Sequence, residues 1–147
     1  MKKTTIKVHG TPKPQPRPRA FSRGGHTGVY DPGTSNEWKS CVKLAMRNAL
    51  SEIIRCPVIV QLDFNFKRPA SHYRSGRFSG ELREDAPRWH VKKPDADNLA
   101  KAVLDALTDM KLWLDDSQVI SLSVTKQWAD IAEPGCLILI EPFGSDD

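Results

Sequence analysis

The chain has 147 residues, 39% hydrophobic and 27% charged, with a formal net charge of +4. This suits one domain with its own core. No apolar run is long enough for a transmembrane helix and no apolar segment follows the basic N-terminus as in a signal peptide, so no membrane partner is expected and the cytoplasm is the default.

Thr4–His9 alternates as a short strand. The stretch 10–34 is a basic arm and loop. Pro12, Pro14, Pro16 and Pro18 lack N–H donors and fix φ, which predicts an extended polyproline-like arm that projects Arg17 and Arg19. Residues 21–36, rich in glycine and turn formers, read as loop; Gly24, Gly25 and Gly28 fit no phosphate-loop pattern. Thr34, Ser35 or Asn36 can cap a helix, and Trp38, Cys41, Val42, Ala45, Met46 and Ala49 recur at helical spacing to about Ser51.

Val58–Phe66 places Val58, Val60, Leu62, Phe64 and Phe66 on one face, the pattern of a half-buried strand. The stretch 67–93 is a long basic loop without periodicity. Lys67, Arg68, Lys92 and Lys93 bracket it as candidate phosphate contacts, and its aromatics Tyr73, Phe78 and Trp89 suit a segment that orders on nucleic acid. The next helix starts at Asp95 or Asp97, with an apolar stripe of Leu99, Val103, Ala106, Leu107 and Met110. Asp97, Lys101 and Asp105 follow one another at steps of four on a different face. Val119–Gln127 and Cys136–Glu141 read as strands joined by a hairpin loop over 129–135. The order predicts an α+β domain: a small mixed or antiparallel sheet with two main helices packed on it.

Cys41, Cys56 and Cys136 are scattered, without a CxxC pair, and read as reduced structural residues. The four histidines are isolated, which argues against a histidine metal site and for surface or packing roles. The chemistry concentrates in Lys92–Asp116. Asp95 and Asp97 can turn two carboxylates toward one point before the helix begins, and Asp115 or Asp116 can add a third if the chain folds back after Trp113. Carboxylates beside many cations suit a hard divalent ion and a phosphate backbone. Each acid alone is equally a helix cap, and Asp97–Lys101 alone a surface ion pair.

The motifs PDADNLAKAVLDAL and WLDDSQV resemble the signature of the RusA family of Holliday junction resolvases, most strongly over Lys92–Lys126. The early GTPKPQPRPRA resembles the basic arm of phage-type members, which leans toward a prophage origin. The resemblance implies a homodimeric, Mg2+-dependent endodeoxyribonuclease that resolves four-way DNA by paired symmetric nicks, with no small-molecule cofactor. It implies Asp95, Asp97 and Asp116 as metal ligands and catalytic residues, and Lys101 as a catalytic lysine. Arg17, Arg19, Lys92 and Lys93 would then neutralise nearby phosphates. Three other readings compete: a nuclease for forks or flaps, a non-catalytic DNA-binding module, and an interaction protein whose proline arm is a peptide ligand.

Overall fold

The computed structural model describes residues 2–47, 49, 52–130 and 133–144. The alternating runs form the strands they predict: β1 (Thr4–His9), β4 (Val58–Phe66), β5 (Val119–Trp128) and β6 (Gly135–Pro142). Two further short strands, β2 (Arg19–Arg23) and β3 (His26–Tyr30), precede helix α1 (Asn36–Met46), and α2 (Ala96–Asp109) precedes β5. The main sheet runs β1-β6-β4-β5, antiparallel except for the parallel pair β4 and β5. It is therefore a mixed sheet, and with the two helices it makes an α+β fold.

Helix packing follows from side-chain period. Val58, Val60, Leu62, Phe64 and Phe66 of β4 point to one face, where they meet Trp38, Val42 and Met46 of α1 and Leu99, Val103, Ala106 and Leu107 of α2. All are buried, and burial of each large apolar side chain stabilises by roughly 1.5–3 kcal/mol. Strands β1 and β6 approach closely: a side chain at Gly135 would collide with the Val8 carbonyl. Helix α1 ends at Met46, earlier than its apolar spacing predicts, and Ser51 lies outside the described residues.

Two expectations are corrected, and the order of the long loop, which the sequence leaves open, is settled with them. Residues 19–30 are a β-hairpin, with Arg19 opposite Tyr30, and not loop. The strands β5 and β6 do not form a hairpin: β4 lies between them, so the connection after Trp128 crosses the end of β4 (Ile131 and Ala132 of that connection lie outside the described residues). The long loop is folded. It holds two short 3-10 turns, Ala70–His72 and Gly76–Phe78, and bridges Tyr73 to Leu82 and Trp89 to Gln127.

The proline arm is extended, as its prolines require, but it is docked. Pro12 is buried, and the Gln15 backbone N–H donates to the Asn98 carbonyl at 2.9 Å. The Gln15 side-chain amide donates to Asp31 Oδ2 at 3.1 Å, and Asp31 Oδ1 accepts from Gly33 N–H at 2.7 Å. The arm thus crosses the first turn of α2 and is tied to the base of the β2–β3 hairpin.

Candidate active site

A parallel pair needs a crossover, and here α2 supplies it. Consequently the ends of β4 and β5, the approach to α2 and the docked arm share one edge of the molecule. Lys126 of β5 fixes the approach: its ammonium donates to the carbonyls of Lys92 and Pro94, both at 2.7 Å. This positioning contact is invisible in the sequence, because its partners are backbone atoms thirty-odd residues away.

Asp95 stands at the N-cap of α2 with extended backbone, φ −73° and ψ 149°, yet its side chain makes no capping bond. The bland role for that acid is therefore not taken up. Its side chain lines a groove of about 660 Å³ between the arm and the strand ends. Asp97, in the first turn, accepts from the Asn98 N–H at 2.9 Å and is otherwise exposed. Lys101 and Asp105 continue that column, one turn apart on the same face.

The return of the chain toward this column is built by the motif around Trp113. Lys111 takes a left-handed φ of 63° and ends the helix. Trp113 is fully buried and its indole N–H donates to Thr108 Oγ1 at 2.8 Å. Gln118 then bolts the turn. Its amide oxygen accepts from the Leu114 and Asp115 N–H groups at 2.8 and 3.2 Å, while its amide nitrogen donates to the carbonyls of Ile54 and Cys56 at 2.9 and 3.1 Å.

This frame separates the two adjacent acids that spacing leaves equivalent. Asp115 caps the 3-10 turn Asp116–Gln118 and accepts from the Ser117 N–H at 2.9 Å, which holds its carboxyl below the usual range. Asp116 makes no such bond to the backbone. Its carboxyl is pushed up, first by a hydrogen bond shared with Asp115, then by desolvation and by the charges of Asp115 and Asp105, with Lys101 pulling the other way. Asp116 therefore sits in the field of the α2 column, and half-buried Asp105 joins the candidate residues there. Its step-of-four relation to Asp97 and Lys101 was the available signal.

Among the described residues, no three Asp, Glu, His or Cys side chains converge tightly enough to cage an ion. Asp95 faces the groove, whereas Asp116 answers to Lys101 and Asp105. The donor chemistry nevertheless fits magnesium, which takes one or two carboxylates and completes its shell with water and substrate phosphate. Crowded carboxylates that raise one another's proton affinity are also the groups that a dication relieves.

The cations divide into two groups. Lys13, Arg17, Lys67 and Lys93 rim the groove and are exposed; Lys92 and Arg19 are exposed but are not among the residues that line it. Arg68 is different and corrects the expectation of a phosphate contact. It is buried, donates to Asp130 Oδ1 from both Nε and Nη2 (3.2 and 2.6 Å), and donates from Nη1 to the Pro87 carbonyl at 2.6 Å. Its Nη1 also lies 3.3 Å from His72 Nδ1, so that nitrogen must be the acceptor of a neutral ring.

His90 is buried too, stacked on Phe66 at 4.1 Å and tilted against Trp128 at 4.5 Å. Burial first, then the charges of Lys126 and Lys92, hold its imidazole below the usual histidine range; burial and then Arg68 do the same to His72. The unfolded chain takes up these protons near the ordinary value of about 6.5. The folded chain resists them, so stability is full above that pH and falls as pH drops below it. The thermal midpoint should decrease between pH 7.5 and 5.5, and less so in His90→Phe. An equal decrease in both proteins would contradict this account of His90.

The profile of the family described as endodeoxyribonuclease RusA matches residues 9–141. The chain belongs to the RusA endodeoxyribonuclease family. A protein of Bacillus subtilis (strain 168) described as uncharacterized protein YqaN is 35% identical over 137 residues, covering 90% of this chain and 92% of its own. As a RusA-family member the chain is a nuclease that acts on DNA, and the matched region includes the arm, the folded loop and the whole α2 site. Among the described residues, no helix is long and apolar enough to cross a membrane.

Proposed function

We propose that this RusA-family chain is a cytoplasmic, magnesium-dependent endonuclease that resolves four-way DNA junctions by paired symmetric nicks as a homodimer. The observation that carries the reading is that Asp95 lines a groove rimmed by four exposed cations at the start of α2, while Asp97, Lys101 and Asp105 continue along one face of that helix, against which the turn that carries Asp116 packs. Asp95, Asp97 and Asp116 would hold the magnesium, with Asp105 at hand. When bound, the ion supplies Lewis-acid polarisation of the scissile phosphate and a more acidic water.

The remaining roles belong to the chain itself. Lys101, exposed between two acids, offsets negative charge that develops on the phosphate. Lys13, Arg17, Lys67 and Lys93 hold flanking phosphates without reading sequence. Lys126, by clasping the carbonyls of Lys92 and Pro94, keeps Asp95 at the mouth of the groove. Edge strand β5 supports the dimer: beyond the bridge between Trp89 and Gln127 at its end, one side of it has no partner strand among the described residues, and Ile120 and Leu122 are exposed on it. An edge of this kind is normally covered, and a two-fold copy would do so.

The nearest second reading is a nuclease for forks or flaps with the same chemistry. Products from junction, fork and linear duplex separate the two: paired nicks confined to the junction support resolution, whereas equal or better cutting of forks rejects it. Phosphate neutralisation also predicts a salt effect. Arg17→Ala with Lys93→Ala should reduce the slope of log K against log salt by roughly 0.9 for each phosphate that is no longer neutralised, equally for all DNA sequences. An unchanged slope would remove these residues from the interface.

A further inference from the structure

The groove beside Asp95 has more in it than binding a phosphate backbone requires. Its cationic rim would suffice to hold a backbone, yet its floor is aromatic: Phe66, His90 and Trp128 line it, packed on one another. His90 is 6% exposed and its buried Nδ1 has no hydrogen-bond partner among the described residues. A buried nitrogen of this kind is normally paired, so the orphan calls for an explanation, and a group entering from the groove that His90 lines is one. Pro12 and Pro14 of the docked arm form part of the opposite wall, fixed there by the Gln15–Asn98 bond. The hollow, about 660 Å³, is within the range of small-ligand sites of roughly 300–1,000 Å³ and has room for a nucleotide. It also lies at the carboxyl ends of the parallel pair β4 and β5 and at the start of the crossover helix.

We propose that this groove is a nucleobase subsite: one base next to the cleaved bond leaves its stack, packs on the Phe66–His90–Trp128 floor, and meets His90 with its hydrogen-bonding edge. The proposal rests on the nuclease reading and adds to it the place where sequence is read. The chemistry favours a base over other occupants. A base brings an apolar face for the aromatic floor, both N–H donors and ring acceptors for either tautomer of His90, and its own phosphates for the cationic rim. At a branch point the base is already weakly stacked, so extruding it costs less than in continuous duplex. Asp95 lines the same groove, which puts one acid of the α2 motif at the subsite. His90 is then a specificity residue, and its contact discriminates among bases.

The test uses the full chain and synthetic four-way junctions with 5-iodo-2′-deoxyuridine at each position around the branch in turn, irradiated in EDTA so that no cutting occurs. Cross-linking from one position to His90, Phe66 or Trp128, located by mass spectrometry, is the expected result. Cross-links confined to other aromatics such as Trp89 or Phe78, or absent at every position, would overturn the subsite. A second arm measures nicking in Mg2+ on junctions that carry each of the four bases at that position. The wild-type chain should prefer one base by about tenfold or more, and His90→Phe, checked for folding by its thermal midpoint, should flatten the preference to about twofold by losing rate on the preferred base. A preference unchanged in a folded His90→Phe would also overturn it. Cross-linking to the floor without nicking of any junction would reject the nuclease reading and leave the subsite standing. Nicking without cross-link or base preference would reject the subsite alone.

Discussion

Asp116→Asn is expected to slow phosphodiester cleavage by roughly a thousandfold, the scale of removing one charged group that serves the transition state, while DNA affinity changes only fewfold. Asp115→Asn should cost far less, because its oxygen serves the Ser117 N–H and an amide oxygen can accept the same bond. Stability separates the pair further. Asp116 has its carboxyl pushed up by Asp115 and Asp105, so the folded chain binds that proton more tightly than the unfolded one. Stability then falls as pH rises through that carboxyl range, and at neutral pH the charge of Asp116 opposes folding. The Asn variant should have a thermal midpoint at pH 7 equal to or above that of the parent. Loss of cutting without loss of stability marks a residue kept for chemistry. If Asp115→Asn is the inactive variant and Asp116→Asn cuts normally, the assignment of the adjacent acids is reversed.

Arg68→Ala is expected to destabilise the fold by about 2–3 kcal/mol, which for a domain of this size lowers the thermal midpoint by roughly 5–10 °C. The substitution removes at once the paired bonds to Asp130, the bond to the Pro87 carbonyl and the approach to His72. The figure lies below that for a wholly buried ion pair because the side chain of Asp130 is 60% exposed and can rehydrate. The variant should also loosen the loop at 67–93, seen as faster proteolysis there. Its salt slope for DNA binding should match the parent once both are folded. A stable Arg68→Ala with a reduced slope would return this arginine to the DNA interface.

The parts of the fold that were legible are those with a local cause. Strict alternation over Val58–Phe66 survives as a strand with one buried face, and the spacing of Leu99, Val103, Ala106 and Leu107 survives as the buried side of α2. The hairpin at 19–30 was not legible, because nearly every residue in it is exposed and no apolar alternation is left to read. Strand order was not legible either: nothing within β5 or β6 says that β4 will lie between them. The carboxylate site was legible as a motif but not as a geometry. Which of Asp115 and Asp116 is free depends on Gln118 reaching the carbonyls of Ile54 and Cys56, across more than sixty residues of sequence. Arg68 read as a phosphate contact, and His90 as a surface or packing residue without a named partner, for the same reason, since Asp130 and Phe66 are their neighbours only in space.

We propose that the acids of α2 and the following turn make this RusA-family chain a metal-dependent junction resolvase. The most direct measurement is cleavage of an end-labelled synthetic four-way junction by the wild-type chain with Mg2+, by the same chain with EDTA, and by Asp97→Asn with Mg2+. Symmetric nicks in opposed strands are expected in the first reaction alone, with junction binding retained by the variant. Cutting that persists in EDTA or in Asp97→Asn, or tight junction binding without nicks in any reaction, would contradict it.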